Sequence, residues 1–314
     1  MMKTALVLGA AGGMGYSLTE ALLNKGFHVI AASRSIENLE KLRRIPGMLP
    51  DIIACDAMDR AQVKKAVSQA DLVFHSINIP YQEWGSLSII MANILEECRI
   101  QNKPFIYTDN IYAYGRQASP VNESAVKNPH TKKGKIRLEL LEQIRESGTR
   151  YIIAHFPDFY GPDTSNTLLD YTLKQAMSKN KAGFLGKTDL EREFIFIKDA
   201  AEALAELALH EEAYGEDWNI PGSGTITGKE IEAVLTGYFG RQIKLWPISR
   251  WMIQSIGLFD PFMREYAEMM YLNETPVILD GSKYERLIAP IPRTPYSEGI
   301  TAALRQLESQ PAAR

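Results

Sequence analysis

The chain has 314 residues, of which 45% are hydrophobic and 23% are charged, and its formal net charge is -3. This balance excludes an extensively disordered chain and a broad nucleic-acid-binding surface. The two cysteines, Cys55 and Cys98, cannot form a disulfide framework, and no Cys/His cluster has metal-ligand spacing, so we expect no metal and a reducing, cytoplasmic setting.

Short apolar runs alternate with longer amphipathic stretches through the first half of the chain. The predicted strands are 4–8, 27–32, 51–55, 71–76, 104–108 and 151–156, and the predicted helices cover 16–25, 60–69, 84–101 and 135–147. Because parallel strands need long crossover connections, this alternation predicts an α/β fold of the Rossmann type, a doubly wound parallel sheet. The apolar start is too short for a signal sequence or a membrane span.

A glycine-rich turn, GAAGGMG, joins the first predicted strand to the first helix. Gly9, Gly12 and Gly15 have the spacing that permits a tight turn and a close approach of the backbone to a pyrophosphate at the positive end of the helix. Gly13 and Met14 complete the loop. Since the motif opens the first strand–helix unit, it predicts dinucleotide binding in preference to an ordinary turn.

The second predicted strand runs into Ser33 and Arg34 instead of an acidic residue. NAD sites commonly place a carboxylate there for the ribose hydroxyls, whereas an arginine can pair with the 2′-phosphate of NADP. We therefore expect NADP(H) in preference to NAD(H), with Ser33 and Arg34 at the phosphate. The alternative is that Arg34 is a solvated loop residue.

The pattern loosens after the sixth strand. A strand that feeds a helix is predicted in FIFIKDAAEALAELALH, and a further strand is predicted at 242–246. We predict a dinucleotide-binding domain of residues 1–160 plus 192–222, and a smaller substrate-side lobe of residues 161–191 plus 223–314.

Motifs along nearly the whole chain resemble the extended short-chain dehydrogenase/reductase superfamily, in its NAD-dependent epimerase/dehydratase-like branch. They are GAAGGMG, CDAMD after the third strand, DLVFHS on the fourth, YTDNIYAYG after the fifth, KIRLE on the next helix and DFYGP after the sixth. The resemblance implies that Asp56 and Ala57 lie beside adenine, that Ser76 and Asn78 lie along the cofactor, and that Phe156 lies near the nicotinamide.

The residues of the family's usual proton-transfer centre are altered in this chain. The superfamily uses a Tyr-x-x-x-Lys pair with a nearby Ser or Thr; the tyrosine moves a proton at the substrate oxygen, and the lysine lowers its pKa and holds the nicotinamide ribose. Lys135 aligns with the lysine, but Thr131 stands at the tyrosine position and Asn110 at the Ser/Thr position. Lys132 and Lys133 leave the register of the functional lysine open.

Other polar and aromatic side chains could complete the site. Tyr112 lies two positions beyond the asparagine, so the two side chains share a face if the segment is extended. Asp158 and Tyr160 follow the sixth strand, and Tyr81 and Trp84 follow the fourth, at the edge where open α/β folds bind ligands. We take Tyr112 as a candidate catalytic residue and the other four as candidate substrate contacts. Packing or turn capping is the alternative for each.

Two histidines, His75 and His155, fall within predicted apolar strands. A buried, hydrogen-bonded histidine is more common at such positions than a general base, so we expect both to be structural.

Three functions remain open at this point. We favour an NADP(H)-dependent oxidoreductase of a small carbonyl or alcohol, in which Lys135 holds the ribose, Asn110 orients the oxygen, and Tyr112 or water moves the proton. A nucleotide-sugar-type epimerase or dehydratase, and a non-catalytic NADP(H)-binding sensor or regulator, are the alternatives. The expected partner is a small molecule, with no nucleic acid and no membrane, and the resemblance leaves room for a homodimer.

Overall fold

The structure is a computed structural model that describes residues 2–118, 120–164 and 167–309. Its strands are β1 (Thr4–Leu8), β2 (His28–Ser33), β3 (Asp51–Ala54), β4 (Leu72–His75), β5 (Phe105–Asn110), β6 (Tyr151–Phe156), β7 (Asp158–Tyr160), β8 (Lys181–Leu185), β9 (Arg192–Phe196), β10 (Glu216–Asn219), β11 (Thr225–Ile226) and β12 (Lys244–Ile248). Its helices are α1 (Gly13–Asn24), α2 (Arg60–Val67), α3 (Leu87–Ile100), α4 (Lys132–Glu146), α5 (Leu168–Ser178), α6 (Ile197–Leu207), α7 (Gly228–Phe239), α8 (Arg250–Ile256), α9 (Pro261–Tyr266), α10 (Ser282–Leu287) and α11 (Tyr296–Ser309).

Seven parallel strands form the central sheet in the order β10-β6-β5-β4-β1-β2-β3. The chain moves outward from β1 to β3, then returns to β4 on the other side of β1, which makes the gap between β1 and β4 the topological switch point. Residues 5–8 of β1 are almost completely buried, as expected for a strand covered on both faces. The predicted Rossmann-type, doubly wound sheet is confirmed.

Helices cover both faces of this sheet. The helices α1 and α6 pack against each other on one face, while α2, α3 and α4 form a continuous layer on the other. Two of these helices begin where a side chain can cap the first turn: the Asp59 side chain caps α2, and the Thr131 side chain caps α4. Each face therefore has its own apolar core.

The later strands differ in part from the sequence prediction. The strand β9 does feed α6, but it pairs with β7 and β11 in a separate three-stranded sheet. The main sheet instead gains β10, a short strand with two acidic residues and one buried tryptophan, Trp218, whose pattern did not predict a strand. The predicted strand at 242–246 is present as β12, paired in parallel with β8. No helix within the described residues is both long and apolar enough to span a membrane.

Candidate functional site

The glycine-rich turn occupies the switch point between β1 and β4. Gly9 has a φ of +90°, and a Cβ atom there would lie 2.7 Å from the Ile77 nitrogen, while a Cβ on Gly15 would collide with the Gly9 carbonyl oxygen. Gly12 differs, because the described atom nearest to a Cβ at this position is the Gly9 oxygen, at 3.4 Å, which is an ordinary van der Waals contact. Gly12 is also the N-cap of α1. The fold itself needs glycine at positions 9 and 15, and the room left at Gly12 suits a phosphate at the helix N-terminus.

The other two residues of the turn lie on the first turn of α1. Met14 is buried, and a Cβ on Gly13 would lie 2.7 Å from the Asp163 carbonyl oxygen. The segment after β7 therefore approaches the glycine-rich turn from the outside of the sheet. This approach was not predicted from the sequence.

The ends of β2 and β3 lie together beside the glycine-rich turn. The Cys55 nitrogen donates to the Ser33 oxygen at 2.8 Å, and Arg34 is exposed, with no ion pair to any described residue. The Asp56 carboxylate accepts from the Met58 nitrogen at 3.0 Å. Ala57 is buried in the core. The structure thus groups these predicted adenosine-side residues at one corner of the sheet.

At the ends of β4 and β5, the predicted cofactor and catalytic residues also lie close together. The Ser76 and Thr108 hydroxyl groups are 3.1 Å apart, and Asn78 is exposed beyond them. The Asn110 side-chain oxygen accepts a hydrogen bond from the Tyr112 nitrogen at 3.0 Å and so caps a short 3₁₀ turn, Ile111–Tyr114. The segment is therefore not extended, and Asn110 and Tyr112 do not share a strand face.

The start of α4 distinguishes Lys133 from Lys135, while Lys132 is exposed and bonds to Glu268 only through its backbone nitrogen. The Thr131 hydroxyl, at the position of the missing tyrosine, accepts from the Gly134 nitrogen at 3.1 Å and is buried. Lys133 is only 2% exposed, and its Nζ lies 2.6 Å from Glu265 and 2.9 Å from Glu268. Lys135 is exposed and has no hydrogen bond or ion pair from its side chain to any described residue. Lys133 ties α4 to the C-terminal part of the chain, whereas Lys135 is available to a ligand.

These placements predict different effects for two alanine variants. Lys135→Ala is expected to weaken dinucleotide binding by about 1–3 kcal/mol, the value of a hydrogen bond to a charged group. Lys133→Ala should leave binding unchanged, but lower the free energy of unfolding, because it removes the partner of two carboxylates. Cofactor titration and urea unfolding of both variants test this pair of outcomes. Weaker binding in Lys133→Ala alone would assign the family's lysine role to Lys133.

A pair of tyrosines lies next to the capped turn. The Tyr81 and Tyr112 hydroxyl oxygens are 2.9 Å apart, and Tyr112 is buried. Burial raises the pKa of Tyr81 to about 12, and it raises the pKa of Tyr112 well above 10, with further contributions from Tyr81 and Asp158. Both phenols are therefore protonated at neutral pH, and both belong to one hydrogen-bonded unit.

A carboxylate and a guanidinium lie beside the tyrosine pair. Asp158 Oδ2 is 3.8 Å from the Arg192 guanidinium, which also donates to the Leu185 carbonyl oxygen at 2.9 Å. Burial raises the pKa of Asp158, and Arg192 opposes that shift. Burial is the main cause that raises the pKa of Tyr266, and the charge of Asp158 raises it further. The Tyr266 hydroxyl accepts a hydrogen bond from the Asn273 side-chain amide at 3.0 Å. Asp158 thus lies among tyrosines from distant parts of the chain, Tyr81 and Tyr112 before it and Tyr266 in the C-terminal segment.

The remaining aromatic candidates are core residues. Trp84 is 2% exposed, donates its indole N–H to the Ile79 oxygen at 3.0 Å, and packs under the Arg137 guanidinium. Tyr160 is 1% exposed and packs against Tyr296. Phe156 is completely buried. Their surroundings favour packing, which was the alternative for Trp84 and Tyr160, and the functional roles of these residues stay predictions.

Behind the site, both strand histidines are buried and hydrogen-bonded. The His75 Nδ1 accepts from the Ile77 nitrogen at 3.2 Å, and burial lowers the pKa of His75 to about 3. His155 bridges two carboxylates, with Nδ1 at 3.0 Å from Asp109 and Nε2 at 3.1 Å from Asp217. Burial lowers the pKa of His155, but the hydrogen bonds to both carboxylates outweigh burial, so its pKa is raised.

The sequence analysis missed Tyr266 and Arg192 as site residues. Tyr266 lies more than a hundred residues after the DFYGP motif, and nothing in its own segment marks it as a site residue. Arg192 is the first residue of β9, and a charged residue at the start of an apolar strand could have marked it as a candidate site residue. Asp109 was also missed, although it adjoins Asn110 and supports both His155 and Arg137.

The glycine turn at the switch point and the polar cluster at the same edge of the sheet define a Rossmann-type protein of the extended short-chain dehydrogenase/reductase class. The model of the NAD dependent epimerase/dehydratase family matches residues 5–221. The chain belongs to this family.

Individual relatives are distant. A UDP-N-acetyl-alpha-D-glucosaminuronate decarboxylase of Bacillus cytotoxicus is 24% identical over 257 residues, which are 74% of this chain and 78% of the relative. An uncharacterized protein of Schizosaccharomyces pombe is 27% identical over 251 residues, 77% of this chain and 81% of the relative.

Solved structures match over almost the whole length. The UDP-glucuronic acid 4-epimerase of Bacillus cereus in complex with NAD has a TM-score of 0.79 and 21% identity, with 98% of this chain and 99% of the other covered. The enzyme WbmH of Bordetella bronchiseptica in complex with NAD+ has a TM-score of 0.75 and 17% identity, with the same coverage. At these identities the likeness shows the fold alone.

Proposed function

We propose that the protein is a nicotinamide-dinucleotide-dependent oxidoreductase of a small carbonyl or alcohol, in which Tyr112 takes over the proton transfer that the family assigns to position 131. The observation that carries the proposal is the hydrogen-bonded pair of Tyr81 and Tyr112, 2.9 Å apart, at the carboxyl edge of the sheet. Thr131 is committed to capping α4, so it does not supply the proton.

In this proposal each residue of the site has a separate role. Lys135 binds the nicotinamide ribose, Asp158 and Arg192 orient the substrate, and Tyr266 closes the site from the substrate-side lobe. Asn110, whose side-chain oxygen caps the turn, can still donate its amide N–H to the substrate oxygen. When bound, the nicotinamide supplies or accepts the hydride at the substrate carbon.

Protonation of the tyrosine pair favours reduction of a carbonyl. As hydride adds to the carbonyl carbon, the C=O π electrons move to oxygen, and that oxygen takes the hydroxyl proton of Tyr112. The resulting phenolate is stabilised by, and then reprotonated through, Tyr81. Oxidation of an alcohol is the reverse, with the proton passing to the phenolate. Because burial raises the pKa of both groups, the phenols keep their protons at neutral pH, and the proton passes because the developing alkoxide is a stronger base than the phenolate.

We propose NADP(H) as the favoured form of the dinucleotide, through the 2′-phosphate and Arg34. Support comes from the exposed Arg34 at the end of β2, whereas the two solved structures described above carry NAD. Arg34→Ala is expected to weaken NADPH binding by about 1–3 kcal/mol and to leave NADH binding unchanged. Titration of Arg34→Ala and of the unmodified protein with both nucleotides decides this, and equal losses for NADPH and NADH would contradict the 2′-phosphate role.

A nucleotide-sugar-type epimerase or dehydratase is the second candidate, supported by the UDP-sugar decarboxylase named for the Bacillus cytotoxicus relative and the UDP-glucuronic acid 4-epimerase named for the Bacillus cereus structure. The test is an assay of the purified protein with NADPH or NADH and a panel of small aldehydes, ketones and UDP-sugars. Net cofactor oxidation with a carbonyl supports the oxidoreductase. Conversion of a UDP-sugar without net cofactor consumption supports the epimerase. Cofactor binding without either reaction would contradict both and favour the sensor.

A further inference from the structure

A cluster of large apolar side chains projects from the C-terminal part of the chain. On α8 and the turn after it, Trp251 is 68% exposed, Leu258 is 71% exposed and Phe259 is 91% exposed. Trp246, on the preceding strand β12, is also exposed. We call these four side chains the apolar tip. Single exposed apolar residues are ordinary, whereas larger exposed apolar patches mark interaction sites, and these four side chains lie within fourteen residues of chain.

The apolar tip is held outward by a closed turn. The Arg264 Nε donates to the Gly257 oxygen at 2.9 Å, and its guanidinium also donates to the Leu258 oxygen at 3.3 Å. A Cβ on Gly257 would lie 2.9 Å from the Arg264 Cα, so α8 and α9 meet closely there. Ile253, on the inner side of α8, is buried. The backbone of the turn is thus satisfied internally, and its apolar side chains remain in solvent.

Positive charge surrounds the apolar tip. Lys181 and Lys244 are register partners on the paired strands β8 and β12, and both are exposed, as is Arg250 at the start of α8. Lys244 lies 3.6 Å from the Glu232 carboxylate but remains largely exposed, whereas Lys181 and Arg250 have no ion pair to any described residue. Residues 241–264 contain four Lys or Arg residues and one Asp, although the whole chain has a net charge of -3. This stretch of chain therefore carries a net positive charge within a protein of net negative charge.

We propose that this surface docks on an anionic lipid bilayer. Trp246, Trp251, Leu258 and Phe259 would enter the interface between headgroups and acyl chains, and the three exposed cations would face the headgroups. A symmetric pairing of two copies through the same surface would bring the cations of both together, which disfavours a second copy as the occupant. The protein would lie on the membrane surface without spanning it, and this proposal departs from the expectation of no membrane partner drawn from the sequence.

The test is binding of the full chain to vesicles of phosphatidylcholine with phosphatidylglycerol, compared with vesicles of phosphatidylcholine alone. Trp84 and Trp218 are buried while Trp246 and Trp251 are exposed, so a blue shift of tryptophan fluorescence on binding reports the tip. We expect sedimentation with the anionic vesicles, a blue shift, and weaker binding in high salt. Equal binding to both kinds of vesicle, or to neither, would overturn the proposal.

Two variants and one control separate the parts of the surface. Leu258→Ser with Phe259→Ser should reduce vesicle binding at least tenfold, and Lys181→Gln with Lys244→Gln should reduce it roughly 25-fold, about fivefold per charge. Val126→Ser, at another exposed apolar position, should leave it unchanged. A blue shift that depends on protein concentration without lipid would overturn the proposal in favour of self-association. Cofactor titration of the same variants separates this result from the fate of the proposed enzymatic function.

Discussion

Replacement of Tyr112 by phenylalanine is expected to lower turnover of the carbonyl substrate by about 10²–10⁴-fold, the usual contribution of a positioned proton donor. The change removes one oxygen from a buried phenol that is hydrogen-bonded to Tyr81. Binding of the dinucleotide should be unchanged, since Tyr112 is separate from the glycine-rich turn. The measurement is single-turnover oxidation of the bound reduced cofactor by the substrate identified in the panel.

A matched control exists for this variant. The Tyr271 hydroxyl is also buried, but it has no hydrogen-bond partner among the described residues, so Tyr271→Phe removes the same oxygen without breaking a hydrogen bond. Turnover should remain close to that of the unmodified protein. If Tyr112→Phe and Tyr271→Phe have the same rate, Tyr112 is not the proton donor.

The tyrosine pair also sets a pH dependence. Because burial raises the pKa of Tyr81 to about 12 and raises the pKa of Tyr112, both phenols keep their protons through neutral pH, and reduction should lose rate only in the alkaline range. Tyr81→Phe removes the hydrogen bond that Tyr112 shares, so it should change the alkaline limb of the profile. A profile that is identical in Tyr81→Phe and the unmodified protein would remove Tyr81 from the proton path.

Asp217→Asn is expected to lower the free energy of unfolding by about 3–5 kcal/mol, the cost of removing one partner from a buried ion pair. Asp217 lies 3.1 Å from the fully buried His155, and it also pairs with Lys127 at 3.2 Å and with Arg145 at 2.6 Å. Arg145 is partly exposed, so solvent screens its ion pair with Asp217, and we expect the loss of unfolding free energy to lie at the lower end of this range. Urea unfolding of both proteins measures the difference.

The effect should depend on pH in a defined direction. Burial alone raises the pKa of Asp217, but His155 and the cations outweigh it and hold that pKa below its ordinary value, so its contribution is present above about pH 4 and is lost on acidification. The pKa of His155 is raised, so its contribution is full below about pH 6.5 and is lost as pH rises. The difference between the two proteins should be largest between these limits. Asp189→Asn, at an exposed site, is the control, and an equal effect of both variants would contradict the role of the buried cluster.

Most of the sheet could be predicted because its strands carry their own signal. Residues 4–8 and 151–156 are apolar runs buried on both faces, and GAAGGMG fixes the strand–helix turn. The strand β10 escaped prediction because its stability comes from pairing with β6 and from one buried tryptophan, which a four-residue window does not reveal. The partner of β9 is likewise a property of tertiary packing, which no local pattern encodes.

The residues of the candidate site could be predicted only where a short local motif marks them. Asn110 and Tyr112 were found from their motif, but the turn that separates their side chains depends on the cap that Asn110 itself makes. Lys133 and Lys135 look alike in the sequence, and their difference in burial arises from Glu265 and Glu268, more than a hundred residues away. Trp84 resembles a surface aromatic until its packing under Arg137 is known.

The central claim is that the glycine-rich turn binds a nicotinamide dinucleotide, and fluorescence titration of the protein and of Gly12→Val with NADPH and NADH tests it most directly. A Cβ at Gly12 meets no described atom closer than 3.4 Å, so the variant should fold normally while its side chain occupies the space for the pyrophosphate. Gly237→Val, where a Cβ would meet nothing within 4 Å, is the control. We predict saturable binding to the unmodified protein and to Gly237→Val, and at least tenfold weaker binding to Gly12→Val. Equal binding by all three, or no binding by any of them, would contradict the claim.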